Sequence, residues 1–159
     1  MNVKAILFPT DFSDYNDAAL DVASSLAAES NATLHILHVH DMQDLNAVAG
    51  EASVLYAWSW EESLKAARER LKEVRPTVPA VAYEHHCLNG TPVMEITSFA
   101  DENKIDLIVM ASHGRTGFSR LLMGSIAEGV LRKAGCPVLI VKQPAAKAKT
   151  DQRLATHHA

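Results

Sequence analysis

The sequence predicts an α/β fold: one doubly wound, five-stranded parallel sheet with helices on both faces. Three observations predict it. Short apolar runs recur five times, at 3–8, 32–40, 80–88, 105–111 and 137–142. Each is separated from the next by a stretch with helical periodicity, the alternation that builds βαβ units. Proline, glycine or cap-forming residues punctuate the junctions.

The first run, 3–8, ends at Pro9 and reads as a strand buried on both faces. Thr10, Asp11, Ser13 and Asp14 supply cap formers, and Ala18, Ala19, Val22, Ala23 and Leu26 then make a helical stripe. The second strand is ATLHILHVH at 32–40, followed by a connection of unassigned structure over 41–50. A second helix shows its period in Leu64, Ala67, Leu71 and Val74, and Pro76 and Pro79 stop it. The alternating AVAYEHHCL at 80–88 predicts a third strand, with Asn89-Gly90 as the turn after it. Thr91 is placed to cap the next helix and Pro92 to open it, with Val93, Ile96, Phe99 and Ala100 as its buried stripe. IDLIVMA at 105–111 is the fourth strand. The last helix is expected over 125–134, with Gly135 as its C-terminal cap, before a fifth strand at 137–142. One domain over 1–143 and a mobile tail over 144–159 complete the expectation.

Composition narrows the function classes. The chain has 159 residues, 48% hydrophobic and 21% charged, the balance of a globular protein. A formal net charge of −4 argues against a general nucleic-acid binder. Two cysteines, Cys87 and Cys136, make no disulfide framework. No apolar stretch approaches the ~20 residues that span a bilayer, and a strand-like run begins almost at Met1, so a cytoplasmic protein without membrane association is expected.

In an open parallel sheet, ligands sit beyond the carboxyl ends of the strands where the strand order reverses. The richest such segment is ASHGRTGFSRLLMGS, at 111–125. Gly114 and Gly117 allow close backbone approach, Arg115 carries a fixed charge with donors for phosphate oxygens, and Gly124-Ser125 opens a helix with unpaired amides. Together these describe an anion site suited to a phosphate chain. A second reading stands beside it: Ser125-Ile126-Ala127-Glu128 is a capping box that satisfies its own helix, and the glycines are turn formers. The common phosphate loops are absent, since no Gly-x-x-x-x-Gly-Lys-Ser/Thr and no Gly-x-Gly-x-x-Gly after the first strand is present.

At these residues the sequence resembles the universal stress proteins. The nucleotide-binding members of that family carry Gly-x-x-Gly, nine residues, then Gly-Ser or Gly-Thr. Here Gly114, nine residues and Gly124-Ser125 match, while Ala111 stands at the first glycine of the pattern. ILFPTDFSDYNDAAL, LHVHD and GCPVLIVK extend the likeness over the whole chain except the tail. The resemblance implies a Rossmann-like, flavodoxin-like sheet of order 3-2-1-4-5 and an ATP site, with Mg²⁺ held mainly by the phosphates. It places Pro9, Thr10 and Asp11 on the nucleoside side, Asp11 near the ribose or, through water, a metal. It puts Val39 at the adenine edge, and Ala111, Gly114, Arg115, Gly124, Ser125 and Ile126 around ribose and phosphates, with His113 in the same segment. It further implies a homodimer through the last strand, at Val138, Ile140 and Val141. The implied function is a nucleotide-dependent regulatory switch in stress response. The alternatives are a dimeric interaction module that binds no nucleotide, and a slow ATPase or self-phosphorylating protein with Ser112, Thr116 or Ser125 as acceptors.

Other constellations carry less. His35, His38 and His40 on one strand and His85, His86 and Cys87 on another invite a metal reading. By alternation only His38 and His40 share a face, and a carboxylate at ligand spacing is missing, so no metal site is expected. Tyr56, Trp58 and Trp60 are assigned to the core. No catalytic residue is assigned, because no nucleophile elbow and no base beside the glycine-rich segment is evident.

Overall fold

The structure is a computed structural model that describes residues 2–41, 53–113 and 123–142, with the backbone alone over 53–58. The expected tail over 144–159 lies outside the described residues. β1 (Ala5–Pro9) leads through a 3-10 turn (Asp14–Asn16) into α1 (Asp17–Ser30). β2 (Thr33–Asp41) is followed by α2 (Ser53–Glu73), and β3 (Tyr83–Gly90) by α3 (Pro92–Glu102). β4 (Leu107–Ala111), α4 (Ser125–Lys133) and β5 (Val138–Val141) complete the fold. All strand pairs are parallel and the order is β3-β2-β1-β4-β5, the expected doubly wound sheet.

Strand alternation divides the core. Ile6 and Phe8 of β1 join Leu34, Ile36 and Val109 beneath α1 and Leu71 of α2. Leu7, Leu37 and Ile108 face the other way, against Ile96 and Phe99 of α3 and Val130 of α4. Ile6, Leu7 and Phe8 are fully buried, which is why β1 reads as a continuous apolar run. α1 meets the sheet through Ala19, Ala23 and Ala27, whose small side chains bring the helix close.

Several expected boundaries move. β3 begins at Tyr83 rather than at 80, because Ala80 takes a left-handed φ of 67° that no strand accommodates. Asn89-Gly90 is not a turn: both residues stay in the ladder, opposite His40 and Asp41. Thr91 occupies the N-cap of α3 but makes no side-chain cap bond, while Pro92 opens the helix as expected. α4 ends at Lys133 with Ala134, in extended conformation, as its C-cap. Gly135 is therefore no left-handed cap; a Cβ there would lie 2.9 Å from Asp101 Oδ1, the movable tip of an exposed side chain. Among the described residues no helix is long and apolar enough to cross a membrane.

Candidate functional site

The strand order reverses at β1, so the carboxyl ends of β1, β2 and β4 border one cleft. Past Pro9, the Thr10 N–H donates to the Leu37 carbonyl at 2.8 Å, extending the β1–β2 pairing by one residue. The Thr10 carbonyl in turn accepts from Nδ1 of buried His38 at 2.9 Å. The chain then turns sharply: Phe12 has a φ of 64°, and its N–H donates to Thr10 Oγ1 at 3.1 Å. Asp11 closes this turn. Its Oδ1 accepts from the Ser13 N–H at 3.0 Å, from the Ser13 hydroxyl at 2.6 Å, and from the Asn16 amide. An aspartate holding its own loop in this way is an Asx-type turn.

Backbone direction follows from the pleat. In a parallel strand, the N–H and C=O of one residue point to the same side and alternate along the chain. The Leu37 carbonyl faces β1, so the main-chain groups of Val39, two residues on, point the same way, beyond the last β1–β2 pair. On β4, the Ser112 N–H donates to the Val141 carbonyl of β5, so Ala111 turns its main chain toward β1. Val39 and Ala111 thus present backbone donors and acceptors to the gap that opens where β1 stops.

The α4 N-terminus closes the third side. Gly124 N–H donates to the Ser112 carbonyl at 2.7 Å, pinning the helix start to the end of β4. Gly124 is the N-cap, with no side chain to offer, and Ser125 is the first helical residue. The capping box expected at Ser125 is therefore not formed; the Glu128 carboxylate pairs instead with Arg132. Among the described residues no side chain caps the opening amides of α4, so a capping box does not account for Ser125.

Pro9, Thr10, Asp11, Val39, Ala111, His113, Gly124, Ser125 and Ile126 all lie along this carboxyl edge. His113 is half-buried, with its Nδ1 3.0 Å from Ser112 Oγ, and Ser125 and Ile126 are exposed. Gly114, Arg115 and Gly117 lie outside the described residues. Sequence reasoning missed two contributors. His38 braces the β1 turn from below, and Phe12 stacks on its ring at a centroid distance of 4.2 Å. A strand histidine one residue before a predicted ligand position was the available signal. A cavity of about 520 Å³ also opens beside Thr10, on the α1–α2 side of the sheet, lined by Phe8, Phe12, Leu20, Arg70 and Val74.

The histidines arrange differently from expectation. Trp60 is half-buried against the His40 ring at 4.3 Å rather than in the core, and the side chains of Tyr56 and Trp58 lie outside the described residues. His35 and His86 share a face, contrary to the reading by alternation alone, because that reading compared residues within a strand and not across the β2–β3 register. The expected lack of a carboxylate is also corrected, since Glu84 stands directly opposite His35. Burial lowers the basicity of both imidazoles against the opposing pull of Glu84, and His35 lowers that of His86 further. Burial pushes both free thiols, Cys87 and Cys136, up, which leaves them poor nucleophiles.

Comparison with known proteins agrees with this architecture. Residues 2–142 match the model of the universal stress protein family. The chain is 39% identical over 147 residues to universal stress protein MJ0531 of Methanocaldococcus jannaschii, covering 89% of this chain and 83% of that protein. The solved structure of MJ0577, from the same organism, superposes with a TM-score of 0.80 at 26% identity, covering 92% of this chain and 100% of the other. A universal stress protein solved in complex with cAMP superposes at 0.58 with 30% identity, covering 89% and 98%. On the strength of the matched residues and the shared sheet, the chain belongs to the universal stress protein family.

Proposed function

We propose that this chain binds an adenine nucleotide, ATP with its Mg²⁺, across the ends of β1 and β4, and works as a nucleotide-dependent switch in stress response. The observation that carries the reading is that the Val39 and Ala111 main chains and the α4 N-terminus, which no described side chain caps, border one gap. A donor and an acceptor from a single residue, Val39, suit the paired acceptor and donor of an adenine edge. The α4 amides, pinned at Ser112, suit polyphosphate oxygens. The cAMP complex of a relative supports the same ligand class.

The chemistry of the described residues at this cleft suits these groups. Bound ATP supplies the phosphate charge and, through it, the ligands for Mg²⁺. Asp11 holds the β1 turn through Oδ1 and contributes negative charge beside the ribose position. Ala111 in place of glycine adds one methyl group while its main chain still faces the gap. A nucleotide that bridges β1 and β4 shifts the population competent for a protein partner by its differential affinity for the two states. A homodimer through β5 in the cytoplasm belongs to the same reading.

The decisive variant is Gly124→Asp. Aspartate is a favoured N-cap, so α4 keeps its start while a carboxylate occupies the anion position. Titration of Mg-ATP into wild-type protein should release heat, and denatured protein should release an adenine nucleotide onto an ion-exchange column. Gly124→Asp should weaken binding at least ~100-fold, the scale of a desolvated like-charge contact. Equal affinity in the two proteins, or no nucleotide and no heat from wild type, overturns the proposal.

A further inference from the structure

Away from that cleft, in the amino-terminal half of β2 and β3, three ligand atoms converge on the α3 face of the sheet. Register sets His35 opposite Glu84, and His86 follows on the same face beside Leu37. His35 Nδ1 lies 3.1 Å from His86 Nε2, while Glu84 Oε2 stands 3.8 Å from the first and 3.7 Å from the second. A hydrogen-bonded imidazole pair accounts only for the short contact. The carboxylate oxygen is too far from either nitrogen to accept a hydrogen bond, yet nearly equidistant from both. Such an arrangement frames a gap between three ligands.

The size of the gap is informative. The point equidistant from the three atoms lies about 2.1 Å from each, which is the Zn–N and Zn–O bond length. The three ligand atoms already stand at a spacing that one ion could bridge. Both rings are also held from behind, since Phe99 of α3 lies 4.6 Å from the His86 ring and 6.1 Å from the His35 ring. Two hydrogen-bonded strands and a packed helix therefore preorganise the donors. His35 and His86 are 14% and 24% exposed, whereas Glu84 is 61% exposed, so a fourth position faces solvent.

We propose that His35, Glu84 and His86 form a binding site for a divalent transition metal of the zinc class, three-coordinate from the protein and open at its fourth position. Two imidazoles and one carboxylate match zinc, and are too few oxygens for calcium or magnesium. The site lies toward the opposite ends of β2 and β3 from the nucleotide cleft and rests on none of its residues. Bound metal would cross-link the edge strand β3 to β2 and stabilise the folded state by mass action.

The test uses the full chain stripped with a chelator, with no nucleotide present. Co²⁺ titration followed by visible absorption should show one equivalent per chain with the intensified bands of a four-coordinate ion. Zn²⁺ should displace it and raise the thermal midpoint. His86→Ala should abolish both effects. Glu84→Gln should weaken binding at least tenfold; because Glu84 is exposed, this variant keeps the fold and decides the matter even if His86→Ala does not. A double variant of the terminal pair, His157→Ala with His158→Ala, should bind as wild type does. No binding by wild type, binding that survives in Glu84→Gln unchanged, or loss in the terminal variant overturns the proposal.

Discussion

Single residues in this molecule gain their roles from partners far along the chain. Ser24 sits fully buried in α1, and its Oγ accepts the N–H of Thr77, 53 positions away, at 3.0 Å. That bond holds the segment after α2 against α1. Ser24→Ala would remove the acceptor and leave a half-buried N–H without its partner, at a cost of about 1–2 kcal/mol. The expected outcome is a lower urea midpoint with an unchanged slope; an unchanged midpoint would mean that water replaces the hydroxyl. No pattern in the sequence marks Ser24, because helical periodicity reports apolar faces and a serine beside them reads as surface. The same limit explains Asp11 and Glu84. The family resemblance implies a ribose or metal neighbour for the first, whose residue type by itself suits a cap, and nothing in the local pattern marks the second. Only the fold shows Asp11 clasping its own turn and Glu84 facing two histidines.

At the scale of elements, identity was legible and ends were not. Apolar runs and helical stripes are set by burial, which the side chains themselves encode, so each described strand and helix falls where its pattern lies. Ends are set by hydrogen bonds to neighbours. β1 pairs on through Thr10 because Leu37 offers a carbonyl, and β3 starts late because of the left-handed Ala80. The α4 start is the instructive case. Ser125-x-x-Glu128 has the residues of a capping box, but Gly124 is drawn to the Ser112 carbonyl, and that bond moves the cap one residue upstream. Inside α4, Gly129 faces α3, where a Cβ would come 2.8 Å from Val93 Cγ2. β-branched Val93 cannot swing aside freely. Gly129→Ala should be nearly neutral, since ~1 kcal/mol of helix propensity offsets the contact. Gly129→Leu should cost about 1–3 kcal/mol by overpacking the α3–α4 seam, read as a drop in thermal midpoint. Equal midpoints for the leucine variant and wild type would show that the two helices separate easily.

For the whole molecule, topology explains why a cleft at the carboxyl ends of the strands was legible before the structure. Any parallel sheet that reverses its winding at β1 opens a cleft there, and the segments after β1, β2 and β4 must border it. The same topology leaves β3 and β5 as edges. On β5, the Val141 carbonyl accepts from β4, so the intervening residues Val138 and Ile140 turn their N–H and C=O groups outward along a rim that no described strand pairs. Leu139 adds a large apolar side chain, 38% exposed, on this short edge strand. Natural sheets block such edges with charge or proline, and a bare one is a template for pairing. Pairing of β5 with β5 in a second copy would satisfy both rims at once and is self-complementary about a two-fold axis. Leu139→Lys tests it, since an edge lysine opposes pairing while a surface substitution at a half-exposed position changes monomer stability by only ~0.5 kcal/mol. Sedimentation or light scattering should give a dimer mass for wild type and a monomer mass for Leu139→Lys, with thermal midpoints compared at fixed protein concentration because dimerisation itself raises them. A variant that stays dimeric would move the interface away from β5, and the outward-turned Val138 and Ile140 would then need another partner.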